Sequence, residues 1–205
     1  MPSTNTLNRQ NPNDRKLIVL DIDETLLHAS ITKLDLPLDY KAARTFIYKR
    51  PYVDRFLSYC LQNFHVAVWT NASAGFAEEV FDQVLPISRH LEFLWSVEHC
   101  TDPPESEGCH DYKIKDLSKV CDLNFGLNNI VMLDDTAEKL RFNKRNLIHI
   151  RPFFGDQTDC ELLHLIKYLE KIRLVDDIGN QNKQNWRQEL VGANTAFEYD
   201  CLVVG

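Results

Sequence analysis

Several features missing from this sequence narrow its function before any motif is read. No apolar run is long enough to cross a bilayer, which takes about 20 residues. The opening residues, Met1 to Asp14, are polar and Asn-rich, with no apolar stretch of the signal-peptide kind. The expectation is a chain without a membrane span or classical secretory signal, resident in the cytoplasm or nucleus, with export by another route left open. A long basic run is also missing: Lys and Arg number 23 against 30 Asp and Glu, a formal net charge of -7. Nucleic-acid binders show a basic face, so DNA, RNA and anionic membranes are not expected as partners. The six cysteines include no C-x-x-C pair, so reduced, unpaired thiols in a reducing compartment are the simplest reading. There is no internal repeat and no obvious linker, and 205 residues suit one domain, with a monomer favoured.

What is present is a set of short apolar runs ending in polar clusters. Leu17 to Leu20 ends in Asp21, Val66 to Trp69 in Thr70 and Asn71, and Ile130 to Leu133 in Asp134 and Asp135; a weaker run, Leu147 to Ile150, ends in Arg151. Runs rich in β-branched residues and apolar on every position read as parallel strands covered on both faces. Helical spacing follows Pro51 through Val53, Phe56, Leu57, Cys60 and Leu61. It recurs after a capping Ser73 as far as Leu85, and from Leu162 to Ile172. Residues 28 to 49 alternate weakly, as a β-hairpin would, and another strand is expected near Phe93 to Val97. Strands alternating with helices predict a three-layer, Rossmann-like α/β domain with a central parallel sheet. The expected division is a disordered lead-in over 1–15, the domain over 16–190 and a tail or extension over 191–205.

Ligands of open α/β sheets bind at the carboxyl ends of the strands. The predicted sheet brings Asp21 and Asp23, Thr70 and Asn71, and Asp134 and Asp135 to one rim. Carboxylates crowded there repel one another by several kcal/mol at about 4 Å and intermediate dielectric. A hard divalent cation relieves that repulsion, and an all-oxygen donor set makes Mg²⁺ the natural candidate, bridging to a substrate phosphate. Asp21, at a rigid strand tip, is placed to attack phosphorus. Asp23, two residues on, is placed to give a proton to the leaving oxygen and later to take one from water. Thr25 would orient the carboxylates across the turn. Thr70 and nearby backbone amides would hold a phosphoryl oxygen, and Lys115 or Lys113 would supply a fixed cation.

Asp21-Ile22-Asp23-Glu24-Thr25 resembles the D-x-D-x-T motif of the haloacid dehalogenase (HAD) superfamily. The chain is more closely similar to its phosphatases of the RNA polymerase II C-terminal-domain and Nuclear LIM-interactor type. Lys49-Arg50-Pro51-Tyr52-Val53-Asp54-Arg55-Phe56-Leu57 looks like their K-R-P-x-[VL]-x-x-F-L stretch. Trp69-Thr70-Asn71-Ala72 looks like their second motif, and Leu133-Asp134-Asp135 like their fourth. Tyr112 to Ser118 looks like Y-x-K-D-L-S with one residue extra, which selects Lys115 over Lys113. The resemblance spans residues 16 to 177 with all four motifs in order. It implies a phosphoprotein phosphatase acting through an aspartyl-phosphate. Asp21 is then nucleophile and metal ligand, and Asp23 is acid/base, with its carbonyl on Mg²⁺. Thr70, Asn71 and Lys115 hold phosphate, and Asp134 and Asp135 complete the metal site.

The stretches between motifs are too short for a domain-sized cap, so an open cleft admitting a phosphorylated protein or peptide is expected, phosphoserine or phosphothreonine first and phosphotyrosine as well. The alternatives are a catalytically silent binding module on the same fold and a phosphatase of small phosphate esters. Arg50 reads equally as a substrate-side cation or a structural ion pair, and Glu24 as solvated. Tyr40, Phe46 and Tyr48 read as core packing or peptide docking. His99, Cys100, Cys109 and His110 could bind zinc, although they lack the usual tight C-x₂₋₄-C spacing.

Overall fold

The structure is a computed structural model that describes residues 15–42, 44–104 and 112–191, with Val191 described at the backbone alone. Its centre is a five-stranded, wholly parallel sheet built from β1 (Leu17–Leu20), β5 (His65–Trp69), β6 (Leu94–Trp95), β7 (Ile130–Asp134) and β8 (Leu147–His149). The strand order is β6-β5-β1-β7-β8. The apolar runs behave as their composition requires. Side chains alternate across a strand, and here Ile18, Leu20, Val66, Val68, Val131 and Leu133 pack in one core cluster. Leu17, Val19, Ala67, Trp69, Ile130 and Met132 pack in the other. Neither face can be left in water, which is why no polar residue interrupts these strands.

The first cluster is covered by α1 (Val53–Asn63) and α4 (Glu161–Ile172). Helix α1 turns Val53, Phe56, Leu57 and Cys60 inward at amphipathic spacing. Helix α4 buries Leu162, Leu163, Leu165, Ile166, Leu169 and Ile172, and each such side chain stabilises the fold by about 1.5–3 kcal/mol relative to exposure. The helical turn α3 (Ser118–Cys121) covers the other face through Val120, beside Leu117 and Leu140. Beyond the sheet core, α5 (Trp186–Val191) docks on α4 through fully buried Trp186, whose Nε1 donates to the His149 carbonyl at 3.0 Å.

Several elements depart from the sequence reading. The segment read as a hairpin is a three-stranded antiparallel sheet of β2 (Leu27–Ser30), β3 (Tyr40–Ala42) and β4 (Thr45–Lys49) in the order β2-β4-β3. Helix α1 begins at Val53 rather than at Pro51, because Tyr52 adopts φ 65° and ends the incoming turn. Ser73 does cap α2 (Ala74–Glu79), accepting from the Phe76 amide at 3.5 Å, but residues Val80–Val84 continue as a π-helical turn. Cys60, Cys100 and Cys121 are free thiols, whereas Cys160 is disulfide-bonded, which the reading of all six as unpaired did not anticipate. No helix among the described residues is long and apolar enough to cross a membrane, and no domain-sized cap stands over the sheet there. The lead-in (but for Arg15) and the tail (but for the Val191 backbone) lie outside the described residues.

Candidate active site

The order of the strands decides where the chemistry sits. β1 is central, β5 and β7 flank it, and the register pairs Leu20 with both Val68 and Leu133. Asp21, just past β1, therefore lies level with Asp134, the last residue of β7, and the Asp21 amide donates to the Leu133 carbonyl at 3.0 Å. Thr70 follows β5 on the other side. Both flanking strands stop by the same local device, a side chain accepting from an amide two residues on. Thr70 Oγ1 accepts from Ala72 at 3.0 Å, and Asp134 Oδ1 accepts from Thr136 at 2.9 Å.

Past Asp21 the chain turns sharply. Glu24 takes φ 55°, in the left-handed region that non-glycine residues rarely occupy. Two tertiary contacts hold it there: the Phe153 amide donates to the Glu24 carbonyl at 2.8 Å, and Arg50 Nη1 reaches the Thr25 carbonyl at 3.1 Å and that of Glu24 at 3.4 Å. Arg50 is itself buried and forked onto Asp159 by Nε (2.9 Å) and Nη2 (2.7 Å). Of its two readings, the structure supports the structural one. Thr25 Oγ1 is buried without a hydrogen-bond partner, so the hydroxyl does not orient the carboxylates across the turn as expected.

The carboxylates of Asp21, Asp134 and Asp135 converge, each offering an oxygen within 4.8 Å of the others'. Lys115 rises into this group from the loop before α3. Its backbone is pinned by its own amide on the Lys139 carbonyl (2.7 Å) and by the Thr101–Ile114 bridge beside it. Lys115 Nζ lies 2.7 Å from Asp21 Oδ1 and 2.7 Å from Asp134 Oδ2, all three side chains being essentially excluded from solvent. A second ammonium, missed in the sequence, completes the group. Lys139 Nζ is 3.1 Å from Asp21 Oδ2, 3.2 Å from Asp134 Oδ1 and 3.4 Å from Asp135 Oδ1. Asp135 is steadied from behind, its carbonyl accepting from His149 Nε2 at 2.7 Å.

The electrostatics follow from burial and these neighbours. Burial opposes ionisation of Asp21, but Lys115 and Lys139 outweigh it and hold the carboxyl below its ordinary range. Asp134 is pushed up to about 6, first by burial and then by the charge of Asp21, against the pull of the two lysines. Asp23 stands outside the three-carboxylate group and is pushed up to about 7 by burial, then by Asp21 and Glu24. Lys139 is raised: burial works against its charge, and the three aspartates overcome it.

The other sequence candidates fall as follows. Thr70 is buried at the end of β5. The Asn71 side chain donates to the Lys113 carbonyl at 3.2 Å and accepts from the Cys100 thiol at 3.1 Å, so it ties two loops together. Lys113 pairs with exposed Asp102 at 2.8 Å, away from the carboxylates. Glu24 bonds the His28 ring at 3.1 Å. Tyr48 is buried, its hydroxyl accepting from the Leu34 amide at 2.8 Å, and Tyr40 donates to Glu79 at 3.0 Å. The ring of His99 stacks on Trp95 at 5.1 Å, while Cys109 and His110 lie outside the described residues. The donor set at the rim is three hard carboxylates with no thiol or imidazole, and two ammonium groups already lie on them. Such a set fits a hard divalent cation.

Comparison with known proteins agrees with this geometry. The family described as NLI interacting factor-like phosphatase matches residues 16–179. The chain is 31% identical over 196 residues to CTD nuclear envelope phosphatase 1B of Danio rerio, spanning 88% of this chain and 76% of that protein. It is 30% identical over 173 residues to a probable C-terminal domain small phosphatase of Dictyostelium discoideum, spanning 80% of this chain and about half (52%) of that one. Among solved structures, the fission yeast RNA polymerase II CTD phosphatase Fcp1, as a variant bound to beryllium fluoride, superposes with a TM-score of 0.51. That superposition has 17% identity and covers 90% of this chain and 51% of that chain, a likeness of fold. With the sheet order, the convergent strand ends and the family match in agreement, the chain belongs to the NLI interacting factor-like phosphatases of the HAD superfamily.

Proposed function

We propose that this protein is a Mg²⁺-dependent phosphoprotein phosphatase that works through an aspartyl-phosphate on Asp21. The observation that carries the reading is a buried carboxylate, Asp21, held ionised at the tip of the central strand by Lys115, with Asp134 and Asp135 beside it. A carboxylate oxygen of Asp21 forms a bond to phosphorus as the bond to the leaving oxygen breaks, and Asp23 gives its proton to that oxygen. Water then attacks phosphorus, its proton passes to Asp23, and the Asp21–phosphorus bond breaks to release orthophosphate. Lys115 and Thr70 hold the phosphoryl oxygens. Asn71, its side chain committed elsewhere, contributes through its backbone. Asp21, Asp134, Asp135 and the Asp23 carbonyl would hold Mg²⁺, which when bound neutralises charge developing on the phosphoryl group.

A protein substrate is favoured by the lack of a cap domain among the described residues and by the names of the relatives, which are CTD and nuclear envelope phosphatases. A cytoplasmic or nuclear setting is proposed with it on the name of the nuclear envelope relative, not on the thiols, since Cys160 is disulfide-bonded. The test is turnover of para-nitrophenyl phosphate with Mg²⁺, followed by phosphoserine, phosphothreonine and phosphotyrosine peptides. Asp21→Asn is expected to abolish turnover; full activity in that variant would exclude Asp21 as nucleophile.

A further inference from the structure

We infer that Lys139 is a displaceable internal counter-ion, occupying the place of the metal until the metal arrives. The inference rests on the metal site proposed above. Every carboxylate oxygen of Asp21 and Asp134 already has an ammonium on it. Lys115 takes Asp21 Oδ1 and Asp134 Oδ2, while Lys139 takes Asp21 Oδ2 and Asp134 Oδ1, with Asp135 Oδ1 as a third. A divalent ion bonding these residues at about 2.0–2.1 Å competes for oxygens that the lysines now hold, and two ammoniums with a dication bring more positive charge than the three carboxylates can balance, so the exchange of one lysine for the metal is favoured.

Burial decides which. The Lys115 side chain is wholly excluded from solvent, whereas that of Lys139 is 12% exposed. Lys139 stands at the rim with a path to water, and long lysine stems readily carry the ammonium outward. The backbone does not have to follow. The Lys139 carbonyl accepts the Lys115 amide at 2.7 Å, so the turn of residues 137–140 stays anchored and the exchange is a side-chain rotation. Two consequences follow. The metal-free protein keeps its acidic group neutralised and ordered, and its affinity for metal is reduced by the cost of expelling Lys139.

The test is calorimetric titration of MgCl₂ into the metal-stripped, full-length chain, wild type against Lys139→Met, which keeps the stem and removes the charge. The variant is expected to bind Mg²⁺ about tenfold tighter or more, with a lower metal-free melting temperature and a larger rise on adding metal. Equal or weaker binding in the variant overturns the inference. A second measurement avoids the variant altogether: brief reductive methylation of the wild type, read by peptide mass spectrometry. Modification of Lys139 is expected to increase severalfold with Mg²⁺ while Lys115 stays protected; no increase at Lys139 also overturns the inference. The two readings fail separately. A wild type that binds no Mg²⁺ defeats the metal site and this inference together, whereas one that binds it without any effect of Lys139 defeats only the inference.

Discussion

Replacing Arg50 with methionine keeps a stem of similar volume and removes the guanidinium that ties Asp159 to the loop after Asp21. Asp159, 15% exposed, then loses its ion-pair partner and keeps only the Glu161 amide, at 2.9 Å on Oδ1. Breaking such a pair from one side costs about 3–5 kcal/mol in a full interior, and the partial exposure places this case near the lower end, about 3 kcal/mol. The Thr25 carbonyl also loses its donor, which adds about 1 kcal/mol, while the Glu24 carbonyl keeps the Phe153 amide. The expected loss is therefore about 4 kcal/mol. In a chain of 205 residues, 1 kcal/mol shifts the melting temperature by about 2–4 °C, so the drop should be about 8–16 °C. Urea unfolding followed by circular dichroism measures the first figure and thermal melting the second. Turnover of para-nitrophenyl phosphate supplies a further check: Arg50 acts on the loop backbone, so kcat should fall with KM little changed. Unaltered stability combined with a large rise in KM would refute the reasoning, since the guanidinium would then be facing substrate.

Lys115→Met should leave Asp21 and Asp134 buried with one ammonium in place of two, lowering stability by about 3 kcal/mol or more in urea and eliminating turnover. Treatment with EDTA should stop phosphatase turnover and added Mg²⁺ should restore it; turnover indifferent to the chelator would remove the metal from the proposed mechanism. Trp186→Ala should cost about 3–5 kcal/mol by denaturant melts, because the ring is fully buried and its N–H bonds the residue that in turn holds Asp135. Lys113→Ala, at an exposed pair, should stay within about 0.5 kcal/mol of the parent.

The sheet was legible because parallel strands sealed on both faces must be apolar through their length, and the runs Leu17 to Leu20, Val66 to Trp69 and Ile130 to Leu133 are. The candidate site is legible in the same pattern: Asp21, Thr70 and Asp134 are each the first strongly polar residue after such a run. Lys139 was missed because Glu138-Lys139-Leu140-Arg141 reads as ordinary surface charge. The available signal was its spacing of four from Asp135, which places the two on one face of a helical turn. The turns at Glu24 and Tyr52 could not be foreseen either. Positive φ at Glu24 is held by the distant partners Phe153 and Arg50, and local propensity disfavours it at both a glutamate and a tyrosine. Arg50 remained ambiguous for the same reason, since Asp159 is 109 residues away and only the fold brings the two together.

The position of Asp21 at the end of the middle strand also governs what heat does to the protein. Its amide is bonded to the neighbouring strand, and β1 has a paired strand on each side. Such central backbone opens last, at a free energy close to that of global unfolding. The Asp21 carboxylate thus has no local melting of its own. On warming, catalytic competence and native ellipticity should vanish over one and the same interval, and cooling that restores the second should restore the first.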